Sequence, residues 1–170
     1  MIFVAVGTQL PFDRLVRCID DWCASRGEGD GVFGQIGHLG PDNYRPAHFE
    51  WAEMIGADDF RTRVQTADVI VSHAGMGSII TAMSFAKPIV ILPRRAHLGE
   101  QRNDHQLATA KRLGGRPGIH VAMTEEALPE MIDRVLEAGT GGAGPGISAF
   151  AEDRLITAIR DFIHAPRAGK

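Results

Sequence analysis

Short continuous apolar runs alternate along the chain with longer stretches whose apolar residues recur every three or four positions, the imprint left by parallel strands separated by helices. The first run, Ile2 to Val6, reads as a strand buried on both faces. Gly7-Thr8-Gln9 forms a turn, and Phe12, Leu15, Val16, Ile19, Trp22 and Cys23 then mark one face of a helix with Pro11 near its first turn. Weaker strand signals cover Val32 to Ile36 and His48 to Ile55, joined by the turn-rich Gly37 to Pro46, and a short helix carrying Phe60, Val64 and Ala67 follows.

The clearest unit lies in mid-chain. Asp68-Val69-Ile70-Val71-Ser72 predicts a strand, His73-Ala74-Gly75-Met76-Gly77 a glycine-bearing turn, and Ser78 to Ala86 a helix closed by Lys87-Pro88. Ile89 to Leu92 is another doubly buried strand, followed by the polar loop Pro93 to Asn103. A helix through Leu107, Ala110 and Leu113 stops at Gly114-Gly115, a strand occupies Ile119 to Ala122, and a helix opens at Thr124-Glu125-Glu126 and ends near Ala138. Gly139 to Gly146 reads as a flexible tether. Ser148 to Ile163 then places Phe150, Leu155, Ile156, Ile159, Phe162 and Ile163 on one helical face, which has to bury against either its own domain or another subunit. The expectation is a single α/β, Rossmann-like domain with a mostly parallel sheet over residues 1–138, a glycine-rich linker at 139–147, and an amphipathic helix and tail at 148–170.

Composition narrows the function. A length of 170 residues suits one core; 44% apolar and 23% charged residues with a net charge of −3 exclude a disordered polyelectrolyte and disfavour a phosphate-neutralising nucleic-acid binder. Only Lys87, Lys111 and Lys170 are lysines, and the arginine preference is explained by codon usage as readily as by bidentate phosphate contacts. Cys18 and Cys23 match neither CxxC nor a zinc spacing, which fits a reduced, cytosolic chain. The apolar start is short, lacks a basic leader and runs into a turn. No segment reaches the roughly 20 apolar residues of a spanning helix, so any membrane contact is expected to be peripheral.

Two glycine turns, Gly7-Thr8 and Gly75-Met76-Gly77-Ser78, each leave a strand and enter a helix, which presents unpaired backbone N–H groups and the positive helix end to an anion such as a diphosphate. The first turn has too few glycines for a GxGxxG fingerprint, and no Walker A loop or GxSxG elbow occurs. His73, at a strand end, either hydrogen-bonds backbone or donates to a phosphate with help from Ser78. Asn103-Asp104-His105-Gln106 is either an ordinary helix cap or a set of donors and acceptors for sugar hydroxyls. Arg94, Arg95 and Arg102 are solvated loop residues or partners for a phosphate or a sugar carboxylate. Asp13 and Glu100 are candidate bases with an equally ordinary reading; an acidic residue such as Asp13 is common in a first helical turn.

The run Ser72-His73-Ala74-Gly75-Met76-Gly77-Ser78, the helix to Lys87-Pro88 and the cluster Asn103-Asp104-His105-Gln106 resemble the C-terminal domain of family 28 glycosyltransferases. Val6-Gly7-Thr8 followed by Pro11-Phe12-Asp13-Arg14-Leu15 is similar to the short, stand-alone donor-binding subunits of two-part enzymes, of the bacterial exopolysaccharide PssE type and the eukaryotic dolichol-linked type. The resemblance covers residues 1 to about 138. It implies one half of a GT-B glycosyltransferase, with a UDP-sugar as donor substrate, no cofactor and no essential metal. It also implies a membrane-associated partner that handles a lipid-linked acceptor, and a cytoplasmic location peripheral to the inner membrane face. By carry-over, Gly7, Thr8, His73, Gly75, Met76, Gly77 and Ser78 hold the diphosphate. His105 and Gln106 touch the donor sugar, with Arg94, Asn103 and Asp104 nearby. Thr81 stands where relatives place a glutamate for the ribose. Asp13 and His105 are the candidate catalytic groups. The alternatives are a non-catalytic module that activates its partner, and a small stand-alone nucleotide-sugar enzyme such as an epimerase.

Overall fold

The computed structural model describes residues 1–27, 29–148 and 150–165. Its centre is a six-stranded sheet in the order β3-β2-β1-β4-β5-β6, with β1 at Ile2–Ala5, β2 at Val32–Gln35, β3 at Glu50–Ala52, β4 at Val69–His73, β5 at Ile89–Leu92 and β6 at Ile119–Val121. Every neighbouring pair is parallel. The helices are α1 at Asp13–Arg26, α2 at Ala57–Thr66, α3 at Met76–Ser84, α4 at His105–Leu113, α5 at Leu128–Ala138 and α6 at Asp153–His164.

Alternate residues of each strand feed two separate cores. Val4, Val71, Val90 and Leu92 pack under α1 and α5 with Leu15, Ile19, Leu128 and Ile132. Phe3, Ala5, Ile70, Ile89 and Ile91 pack under α2, α3 and α4 with Val64, Ile79 and Ala110. Both faces of the sheet are covered, which is why the strands read as unbroken apolar runs and why the α/β expectation holds.

The weak strand signal at His48 to Ile55 shrinks to three half-exposed residues at the sheet edge. Its approach loop is pinned by the buried carboxylate of Asp20, which accepts hydrogen bonds from Tyr44 Oη at 2.6 Å, Ala47 N at 3.0 Å and His48 N at 2.7 Å. α5 starts at Leu128 rather than at Thr124. Pro129 fits the first helical turn, where a missing N–H costs nothing, and Glu125 is drawn away to Arg14 at 2.8 Å.

The glycine-rich segment after α5 lies against the N-terminal edge of the sheet. His120 Nε2 lies 2.9 Å from the Gly142 carbonyl, and Ile147 N donates to Met83 O at 3.1 Å. α6 follows, starting five residues later than its apolar pattern predicts. None of its residues is buried, and Phe150 and Phe162 are 81% and 84% exposed. The last part of the expected tail, residues 166–170, lies outside the described residues. Among the described residues no helix is long and apolar enough to cross a membrane.

Candidate functional site at the sheet's switch point

The strand order reverses between β1 and β4, and at such a point the loops leaving two adjacent strands diverge to opposite faces and open a crevice. Here the crevice is a cleft of about 380 Å³ lined by Val6 to Leu10 after β1, by His73, Gly75, Gly77 and Ser78 after β4, and by Arg94, Gln101, His105 and Gln106 after β5. The two glycine turns therefore meet at neighbouring strand tips. α3 begins directly at the cleft with Gly75 as N-cap and no side-chain cap. Its first-turn N–H groups and the positive end of its dipole are available to a ligand.

His73 is the centre of the constellation. Its Nδ1 lies 3.1 Å from Gln106 Nε2 and its Nε2 lies 3.5 Å from Ser78 Oγ. The two glycines make room for the ring. A Cβ on Gly75 would fall 2.0 Å from its Cε1, and a Cβ on Gly7 would fall 2.8 Å from its Nε2; Gly7 also has φ +86°, where a side chain is strained in any case. Burial pushes the His73 pKa down to about 4, the positive charges of Arg94 and His105 push the same way, and the hydrogen bond with Gln106 opposes them. The ring is neutral at physiological pH.

Arg94 shapes the opposite wall. It is 3% exposed, and its guanidinium donates to the carbonyl oxygens of Pro11 (2.7 Å), Val6 (2.9 Å), Leu10 (2.7 Å) and Glu100 (3.3 Å) while stacking 4.4 Å from the Phe12 ring centroid. Burial lowers its pKa to about 10, with Glu100 opposing and Arg14 adding to the shift, so it stays charged. Arg94 thus folds the β1–α1 loop into shape and puts a buried cation in the cleft wall. Glu100 holds the β5–α4 loop in turn. Arg14 grips it in a bidentate pair at 2.7 and 2.8 Å, and Arg95 N donates to it at 2.8 Å.

Of the residues singled out from the sequence, Gly7, Thr8, His73, Gly75, Gly77, Ser78, Arg94, His105 and Gln106 line one cleft. Met76 is exposed at the start of α3, and Thr81 lies further along that helix, outside the cleft lining. Asn103 Oδ1 accepts from His105 N at 3.2 Å and contacts its Nδ1, and Asp104 Oδ1 accepts from Ala96 N at 2.9 Å, so both brace the loop. Arg95 is engaged with the Met123 carbonyl at 2.9 Å. Asp13 accepts from Asn43 Nδ2 at 3.1 Å and Tyr44 N at 3.2 Å, and is not brought to the cleft.

Asp13 lines instead a larger groove of about 650 Å³ between α1 and α5, whose wall includes Asp21, Glu125 and Glu126. Arg14 and Arg17 line it too, but Arg14 is already paired with Glu100 and Glu125, and the carboxylates outnumber the two guanidinium groups, so size does not make that groove the anion site. Gln9 and Gln101 line the cleft and were not singled out from sequence. The available signal was their polarity within loops that leave strand tips. Among the described residues no group of three or more His, Cys, Asp or Glu is placed to hold a metal ion.

A family model described as "Glycosyltransferase family 28 C-terminal domain" matches residues 1–141. The chain belongs to this family. It is also 30% identical over 118 residues to the human UDP-N-acetylglucosamine transferase subunit ALG13, an alignment covering 66% of this chain but 10% of that protein, so the chain spans about a tenth of its relative's length. The solution structure of ALG13 superposes with a TM-score of 0.54 at 18% identity, covering 93% of both chains. The crystal structure of a "putative UDP-N-acetylglucosamine 2-epimerase" from Listeria monocytogenes superposes with a TM-score of 0.62 at 14% identity, covering 99% of this chain and 46% of that one. At these identities the superpositions speak for the fold alone. That fold is one half of the GT-B architecture, as the resemblance implied.

Proposed function

We propose that the chain is the donor-binding half of a two-part glycosyltransferase. It holds a UDP-sugar by its diphosphate in the β1/β4 cleft, and a second polypeptide supplies the acceptor side. The observation that carries this reading is the convergence of the uncapped α3 N-terminus, the Gly7 turn and a neutral, cleft-facing His73 over the buried cation of Arg94. As the anomeric bond breaks, charge grows on the leaving UDP. Fixed N–H donors, the helix dipole and His73 meet that charge without having to reorganise. His105, exposed and part of the cleft lining, is the group this reading assigns to the sugar.

The acceptor hydroxyl needs a base. Asp13 is committed to Asn43 and Tyr44, which favours a base from the partner. A single domain of this kind covers one side of the nucleotide only, and the exposed apolar side of α6 supports a protein partner. In this reading that partner is membrane-associated and carries a lipid-linked acceptor of exopolysaccharide assembly.

Calorimetry with UDP and a panel of UDP-sugars tests the proposal. Micromolar to millimolar binding that weakens about tenfold or more in His73→Ala is expected from the loss of a hydrogen bond to a charged group. Absence of heat with every UDP-sugar overturns the donor-binding role. A co-purified partner that transfers sugar equally well with wild-type and His73→Ala chains would make this subunit an activating module instead.

A further inference from the structure

Gln106 is 2% exposed, and both ends of its amide are used. Oε1 accepts from Ala74 N and from Arg94 N, each at 3.1 Å, so one side chain ties the tip of β4 to the tip of β5. These two main-chain donors fix which way round the amide sits. Exchanging O and N would aim an NH₂ group at two N–H groups and strand all of them in a buried site. Nε2 is therefore presented to His73 Nδ1 at 3.1 Å as a donor. A ring nitrogen facing a donor has to offer its lone pair, and in a neutral imidazole the proton then sits on the other nitrogen.

We propose that Gln106 is a positioning residue that locks His73 in the tautomer protonated at Nε2, so that the cleft edge of the ring is always a donor to a pyrophosphate oxygen and never an acceptor. This rests on the diphosphate reading of the cleft. The resemblance assigned Gln106 to the donor sugar; its geometry assigns it to the histidine that meets the phosphates. Main chain sets the glutamine, the glutamine sets the ring, and the ring sets the polarity of the site.

The surroundings keep the ring from escaping by protonation. An imidazolium would turn Nδ1 into a second donor against Gln106 Nε2. Arg94 and His105, the charged or titratable neighbours of the ring, both oppose added positive charge, while Ser78 is neutral. A grip through a neutral donor holds an anion equally well across the physiological pH range. A grip through an imidazolium would tighten as pH falls.

Long-range ¹⁵N NMR of the imidazole ring in the ligand-free protein reads the tautomer directly, with affinity measured alongside between about pH 6 and 8 for a UDP-sugar, whose pyrophosphate keeps its charge where the terminal phosphate of free UDP would titrate. The wild-type chain is expected to show a protonated Nε2 and a lone-pair Nδ1 throughout, with an affinity that does not follow pH. Gln106→Glu keeps an acceptor for Ala74 N and Arg94 N but turns a second acceptor on the ring. His73 in this variant should move its proton to Nδ1, titrate at higher pH, and bind the UDP-sugar about tenfold to a hundredfold more weakly at pH 8, with recovery on acidification.

A wild-type ring protonated at Nδ1 in a chain that binds UDP overturns the lock and leaves the donor reading intact; this arm does not depend on the variant folding. A ring protonated at Nε2 in a chain that binds no UDP overturns the donor reading, and with it the purpose given to the lock. A folded Gln106→Glu chain with an unchanged ring spectrum overturns the assignment to Gln106.

Discussion

Gly75→Ala tests the construction of the site with a single methyl group. Gly75 has φ −86° and ψ 139°, a conformation alanine adopts freely, so backbone strain contributes nothing. Through the unfolded state the substitution gains about 0.4–1 kcal/mol, which the poorer fit of alanine than glycine at a helix N-cap roughly offsets. The obstacle is the imidazole. The added Cβ would sit 2.0 Å from His73 Cε1 and 2.7 Å from Nδ1, and the ring cannot swing aside without breaking its 3.1 Å bond to Gln106.

Overpacking of this kind costs about 1–3 kcal/mol and the lost hydrogen bond about 1 kcal/mol more, giving a net destabilisation of about 2–4 kcal/mol. Urea unfolding of wild type, Gly75→Ala, His73→Ala and the double variant measures it. With the ring removed, Gly75→Ala should be close to neutral, leaving a coupling energy of about 2 kcal/mol or more. An equal penalty in both backgrounds would refute the steric argument and detach Gly75 from His73.

Three other outcomes follow from the same geometry. His73 sits near pKa 4 when folded against an ordinary 6.5, so the unfolded chain takes up a proton first; its contribution is intact above about pH 6.5 and is lost as pH falls toward 4. The loss is on the order of 3 kcal/mol, and the difference between unfolding curves at the two pH values should shrink in His73→Asn. Arg94→Met, which leaves four carbonyl oxygens without their guanidinium, should destabilise the chain by about 2–4 kcal/mol and speed hydrogen exchange in residues 7–10, with UDP affinity falling alongside. Asp20→Asn replaces a carboxylate that hydrogen bonds hold below the usual range despite burial; it should lower stability by about 2 kcal/mol in thermal unfolding and leave UDP affinity unchanged, since Asp20 does not line the cleft.

The parts of the fold visible in sequence were those encoded within a few residues of each other. Ile2 to Val6, Val69 to Ser72 and Ile89 to Leu92 are apolar on both faces and announced a covered parallel sheet. The two glycine turns announced strand-to-helix corners, and strand order then placed them side by side. The elements that moved did so through contacts between distant segments. Glu125 is taken from the start of α5 by Arg14, and β3 is limited by a loop that Asp20 holds. The same reason hid the roles of Arg94 and Gln106. Both stood out as polar residues near the site, but that Arg94 closes the loop at Val6 and Leu10, and that the Gln106 amide is engaged with His73, depends on pairings across the fold that no local pattern records.

Mapping UDP onto the backbone amides of the ¹⁵N-labelled chain tests the central claim most directly. The account predicts saturable shifts concentrated at Gly7 to Leu10, His73 to Ser78 and Gln101 to Gln106, with the first-turn amides of α3 moving furthest. Shifts centred on Arg17, Trp22 and Glu126 in the groove between α1 and α5, or none at millimolar UDP, would contradict it.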